Sequence, residues 1–131
     1  MGAELGLYKE PSQYFSRLNS ELFRATRLVV DTGLHRKNWS REQAIEFLMD
    51  TTMSSESSAS LEVDRYIAVP AQALGYKIGQ LKILVIRAKA EETLGPQFDI
   101  RAFHDELLKD GALPLDLLEI KMDRWIERMR H

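Results

Sequence analysis

Residues 62–92 read EVDRYIAVPAQALGYKIGQLKILVIRAKAEE. From Ala71 to Glu92, Leu74, Ile78, Leu81, Ile83, Leu84, Val85 and Ile86 set apolar side chains nearly all round a helix. A helix apolar on every side belongs inside a protein, so the pattern predicts a long buried central helix over residues 71–92. Pro70 has no N–H and crowds the turn before it, and should kink or restart the helix there. Gly75 and Gly79 stand four apart on this helix. Each costs about 1 kcal/mol relative to Ala in a helix interior, a cost to be offset by close approach of a neighbouring backbone or of a substrate.

The same stretch carries Asp64, Arg65, Tyr66, Gln72, Tyr76 and Lys77. Polar groups in a core are costly unless each finds a partner or a task. On one continuous helix Arg65, Gln72, Tyr76 and Gly79 fall along a single stripe, with Tyr66, Ala73 and Lys77 on the next. A stripe of Arg, Gln and Tyr ending in Gly reads either as the wall of a ligand groove or as a buried hydrogen-bond network that fixes helix register.

Upstream, Pro11 and Ser12 can open a helix after a lead-in of ten residues. Phe15, Leu18, Leu22, Ala25 and Val29 recur at core spacing, and the helix is expected to end near Thr32 with Gly33 as a left-handed stop. Glu21 with Arg24, and Arg27 with Asp31, are helical neighbours that suit surface ion pairs. Ser40 and Gln43 form a capping box for a helix bearing Ala44, Ile45, Leu48 and Met49. The Ser-rich run 51–60 leads into another helix near Ser55–Ser58. Downstream, Gly95 and Pro96 end the long helix, and Asp99 caps one whose inner face is Ile100, Phe103, Leu107 and Leu108. After a break at Asp110, Gly111 and Pro114, Leu115, Leu118, Met122, Trp125, Ile126 and Met129 mark a last helix. With no convincing alternating strand, the expectation is all-α: one irregular bundle of about six helices spanning residues 1–131.

At 131 residues, 44% of them hydrophobic, the chain is long enough to bury about two-thirds of its unfolded surface. A net charge of −2 gives no electrostatic case for nucleic acid. The longest apolar run, Ile83–Ile86, is far short of a membrane span, and the first residues do not read as a signal peptide. The compartment stays open. Without cysteine there is neither disulfide nor thiolate metal site. Of the three histidines, His131 ends the chain, His104 reads as a surface residue beside core Phe103, and His35 follows Gly33 and suits either a ligand contact or plain solvation. His-Glu-x-x-His, a Gly-rich phosphate loop and Gly-x-Ser-x-Gly are all missing from the sequence. The residues by themselves carry no complete catalytic apparatus.

RLVVDTGLHRKNWSREQAIEFL (27–48) and EVDRYIAVPAQALGYKIGQLKILVIRAKAE (62–91) resemble blocks of the bacterial family called domain of unknown function 885. FDIRAFHDELLKDGALPLDLLEIKMDRWI (98–126) is similar to the family's C-terminal end. The family shows Gly where Ala71 stands and often Ala at Gly75. The resemblance implies a zincin-like, mainly helical metallopeptidase. Its zinc-binding His-Glu motif and a Glu-Gly-Trp-Ala segment lie upstream of what is matched here. The chain is then the C-terminal, cleft-lining segment of a larger domain. It holds no metal of its own and is inactive alone, with zinc expected in the intact enzyme. On that footing Tyr76, Tyr66 and His35 are candidate catalytic donors. Arg65, Gln72 and Asp31 are candidate substrate-binding groups for a peptide. The partner is the upstream part of the same polypeptide. The alternative is a stand-alone helical interaction module without catalysis, paired as a homodimer.

Overall fold

A computed structural model describes residues 6–130; the expectations for the start of the lead-in and for His131 lie outside the described residues. The fold is all-α. The helices are α1 (Pro11–Arg36), α2 (Arg41–Thr52), α3 (Glu56–Ala68), α4 (Leu74–Leu94), α5 (Ile100–Leu108) and α6 (Leu115–Met129), with a single 3-10 turn at Gly95–Gln97. Among the described residues there is no strand, and no helix is long and apolar enough to cross a membrane. The contacts divide the chain into two compact units, Met1–Lys77 and Ile78–His131, so α4 contributes its first turn to one unit and the remainder to the other.

The first unit is built by α1, α2 and α3. Its core is Val30, Ala44, Ile45, Leu48, Ala59, Val63, Tyr66 and Ala73, flanked by Phe23, Leu34, Trp39, Phe47 and Met49. The helix starts follow local chemistry. Ser40 accepts the N–H of Gln43 while the Gln43 side chain accepts the N–H of Ser40, the expected capping box. Ser55 accepts the N–H of Ser58 to open α3. Pro70 does break the chain: α3 stops at Ala68 and α4 restarts at Leu74. Between them Ala71 sits at φ +67°, a conformation that suits glycine.

The end of α1 differs from expectation. The helix runs through Gly33 to Arg36, and Gly33 is buried and right-handed. The positive φ is taken by Asn38, at +55°. Gly33 is needed for another reason: a Cβ there would stand 2.5 Å from Cδ2 and Cε3 of Trp39. The Trp39 N–H donates to the Gly33 carbonyl at 3.0 Å and its indole packs on Phe47, with ring centroids 5.3 Å apart. The indole therefore lies over bare backbone.

In the second unit, α4 from Ile78 onward, α5 and α6 enclose Ile86, Ala90, Leu94, Phe103, Leu107, Leu118, Met122, Trp125 and Ile126. Gly95 at φ +50° ends α4, and the Asp99 side chain accepts the Arg101 N–H to start α5. His104 is half-buried rather than on the surface, its Nε2 without a hydrogen-bond partner among the described residues and its ring 5.8 Å from that of Phe103.

Two stripes expected inside are outside in this chain. On α4 only Ile86, Ala90 and Leu94 are buried, whereas Leu81, Leu84 and Val85 are 46%, 48% and 60% exposed. The helix is present, shifted from 71–92 to 74–94, but it is not buried all round: α5 and α6 cover one stripe of it. On α1 Phe15, Leu18, Leu22 and Val29 are exposed, and the buried side is Thr26, Val30, Asp31 and Gly33. Gly75 and Gly79 have open space where a Cβ would go, so no close approach within the chain explains them.

Gly33→Ala tests the indole contact. Ala is the better helix former by about 1 kcal/mol, but overpacking a ring that cannot retreat costs about 1–3 kcal/mol. The urea midpoint should fall, by about 1–2 kcal/mol in unfolding free energy. A raised midpoint would show that the indole swings away freely.

Candidate functional site

Helix α3 places Glu62, Arg65 and Tyr66 on one side, at i, i+3 and i+4. Glu62 Oε2 accepts from Arg65 Nη2 at 2.7 Å and from the Tyr66 hydroxyl at 2.7 Å. From α1, Arg27 reaches the same oxygen with Nη2 at 3.1 Å and donates Nε–H to the Tyr66 hydroxyl at 3.1 Å. The Arg27 guanidinium also lies 4.5 Å from the Phe23 ring centre and 5.1 Å from that of Tyr76, while Arg65 lies 5.1 Å from that of Tyr66. Arg65 Nη1 then donates to Gln72 Oε1 at 2.7 Å, and the Gln72 amide approaches the Tyr76 hydroxyl at 3.5 Å.

Electrostatics follow the burial. Burial pushes the Glu62 carboxyl up, but the hydrogen bonds from Arg65 and Tyr66 and the charge of Arg27 outweigh it and hold the group below the usual carboxylate range. Tyr66 is 1% exposed. Burial first, and then its hydrogen bond to Glu62, push its phenol up to about 12, against the opposing pull of Arg27. The Tyr66 proton is therefore held at neutral pH and given to Glu62.

The other candidates close the turn between α3 and α4. Asp31, 2% exposed, accepts the Ala71 N–H at 3.2 and 3.1 Å through its two oxygens, and so holds the left-handed residue in place. It makes no surface ion pair with Arg27. His35 lies on the last turn of α1, not in a loop, and its Nε2 stands 3.0 Å from the Tyr66 carbonyl oxygen. That carbonyl is in the last turn of α3, where the helix has no further N–H to offer.

All six residues singled out from the sequence thus lie in the first unit, and all six join one connected network or its turn. Arg65, Gln72 and Tyr76 do meet, but across the break at residues 69–73 rather than along one helix. Tyr76 differs from the rest: it is 51% exposed, and among the described residues its hydroxyl hydrogen is donated to no side chain or backbone group. It borders a recess of about 500 Å³ together with Arg24, Arg27, Asn19 and Ser54. Sequence reading missed Arg27 and Glu62 as the centre. The Glu62, Arg65, Tyr66 spacing was a usable signal, whereas Arg27 pairs 35 residues away and left none. Among the described residues no group of three or more His, Cys, Asp or Glu is placed to hold a metal ion.

A family model described as bacterial protein of unknown function (DUF885) matches residues 1–122. Among solved structures, a candidate lipoprotein from Colwellia psychrerythraea superposes with a TM-score of 0.95 at 48% sequence identity, covering 97% of this chain and 22% of that one. The chain spans about a fifth of the length of that relative. No curated protein matches it.

Two measurements check the network. Because the folded state holds the Tyr66 proton more tightly than the unfolded chain does, its contribution to stability is complete below about pH 10 and is lost as pH rises towards 12. In an ultraviolet titration one of the four tyrosines should ionise near pH 12, and Tyr66→Phe should remove that component and cost about 1–2 kcal/mol. Four tyrosines titrating together near pH 10 would contradict this placement. Separately, Ala71→Gly relieves a left-handed alanine worth about 1 kcal/mol, which offsets the added freedom of the unfolded chain. Thermal unfolding should show equal or higher stability, where Ala→Gly at ordinary φ lowers it.

Proposed function

The chain belongs to the bacterial DUF885 family, and on that premise we propose that it is a cleft-lining segment of a longer zinc-dependent peptidase. The observation that carries this reading is the state of Tyr76. Its ring is braced against the Arg27 guanidinium at 5.1 Å, the residue borders a recess, and its hydroxyl hydrogen is uncommitted among the described residues.

The described residues do not fit a zinc site, so the metal would be held by residues outside this chain, and no step is derived through it. What the chain's own residues can do is narrower. When a peptide carbonyl is attacked, negative charge develops on its oxygen, and a positioned hydroxyl donor stabilises that charge more than it stabilises the starting amide. Tyr76 is the candidate for this donor. Tyr66 supports it: its own hydrogen is given to Glu62, and with Arg27 it fixes the platform on which Tyr76 rests. Arg65 and Gln72 orient Tyr76 from the other side. Asp31 and His35 hold the turn that brings Tyr76 back towards α1.

A second reading, an interaction module without catalysis, is favoured by the exposed apolar residues of α4 and α1. Both the upstream part of a longer polypeptide and a second copy of the chain are partners of the right chemistry. Under the peptidase reading, the equivalent of Tyr76→Phe in a full-length family member lowers kcat about 100-fold or more, the usual effect of losing one such donor, with zinc content unchanged. Full turnover in that variant removes Tyr76 from the mechanism and leaves the second reading.

A further inference from the structure

Arg24 stands at the meeting point of two recesses on the first unit. One, of about 570 Å³, is bordered by Gln13, Ser16 and Arg17; the other is the recess of about 500 Å³ that Tyr76 faces. Ser20 and Arg24 border both, so together they form a trough along α1. Among the described residues no acidic side chain lines either part. Three guanidiniums do, and they are in different states. Arg27 is spent on Glu62 and Tyr66. Arg17 faces Glu21 at 3.7 Å. Arg24 is half-buried and makes no hydrogen bond or ion pair among the described residues. Its charge acts on Glu21 without a bond between them, and Glu21 itself is bonded to Lys77 at 3.2 Å.

A half-buried guanidinium with no bonded partner is a costly group to keep unless something arrives to pair with it. We propose that Arg24 anchors the free α-carboxylate of a peptide lying in the trough along α1. The ligand class follows from the donors. One uncompensated planar fork matches one carboxylate in two parallel hydrogen bonds. A doubly charged phosphate would ask for a second free cation, and Arg27 is already neutralised. Around the fork, Asn19 and Ser20 are uncharged groups that donate and accept, as a peptide main chain requires, while Gln13 still offers its amide N–H groups and Ser16 its lone pairs. Arg65 suits this role less, since its two outer nitrogens are bound to Glu62 and Gln72.

The inference deepens the peptidase reading by assigning the substrate a free C-terminus, but its test involves no hydrolysis. The 131-residue chain, without metal, is titrated with tri-alanine as the free acid and as the C-terminal amide, following the backbone amide resonances of α1. The acid should bind about tenfold more tightly than the amide. Arg24→Gln should bring the acid down to the amide's level with little change in the thermal midpoint, since Arg24 makes no hydrogen bond or ion pair among the described residues. Equal binding of acid and amide, no binding of either at millimolar peptide, or discrimination that survives Arg24→Gln would each overturn the proposal. Acetate should compete with the acid; inorganic phosphate competing more strongly than acetate would make this a phosphate site instead. A Tyr76→Phe enzyme with full turnover would sink the donor role and leave this result untouched, and failed binding here would leave the donor role standing.

Discussion

One carboxylate oxygen, Glu62 Oε2, takes three donors from two helices: Arg27 of α1 and Arg65 and Tyr66 of α3. Bonds to an ionised acceptor are about twice as strong as neutral ones, and here they are made by partly buried groups over a sealed tyrosine ring. The arrangement is self-consistent only as a whole. Without Glu62 the half-buried Arg27 and Arg65 would both lie beside the Tyr66 ring without the countercharge they share, and the buried phenol would lose its acceptor. Such a network fixes register, because sliding α1 past α3 by one residue would break every member together. The position of Tyr76 depends on it too, since its ring rests on the guanidinium that Glu62 holds.

Much of the fold was legible because its punctuation is local. Ser40 with Gln43, Ser55, Asp99, Gly95 and the break at Pro70 act within a few residues of their own position, and each does in the structure what its neighbours in sequence imply. Where a residue's role is set by something distant, the local reading fails. Gly33 looks like a helix stop because glycine commonly is one; it is instead a vacancy for the Trp39 indole, and nothing within four residues announces that. Arg27 followed by Asp31 four residues on looks like a surface pair. Tertiary structure gives each a different partner, Glu62 and the Ala71 N–H.

The candidate site was legible in its membership more than in its geometry. Arg65, Gln72 and Tyr76 are neighbours, though the helix assumed to align them is interrupted and the turn does the work that the seven-residue step was given. The apolar pattern of α4 is a related case. Leu81, Leu84 and Val85 carry the composition of a buried face, yet in this chain they meet solvent. A hydropathy pattern reports which side chains are apolar, not which of them the neighbouring helices reach, and here α5 and α6 cover one stripe only.

Tyr66 and Tyr76 show why the network is a candidate site and not only a staple. They are the same residue type, ten positions apart, both in contact with the Arg27 guanidinium. Burial separates them. Tyr66 is sealed, its phenol pushed to about 12 and its hydrogen handed to Glu62. Tyr76 lies where the turn delivers it to the surface, and its hydrogen is left over. A network serving stability alone would gain by closing that last bond, since every unpaired polar group forgoes a contribution. Leaving one rigidly supported donor open beside a recess gives up about 1 kcal/mol of stability, and what it retains is a hydroxyl already oriented before any ligand arrives, which is the condition under which a hydrogen bond can act on developing charge without first reorganising its surroundings.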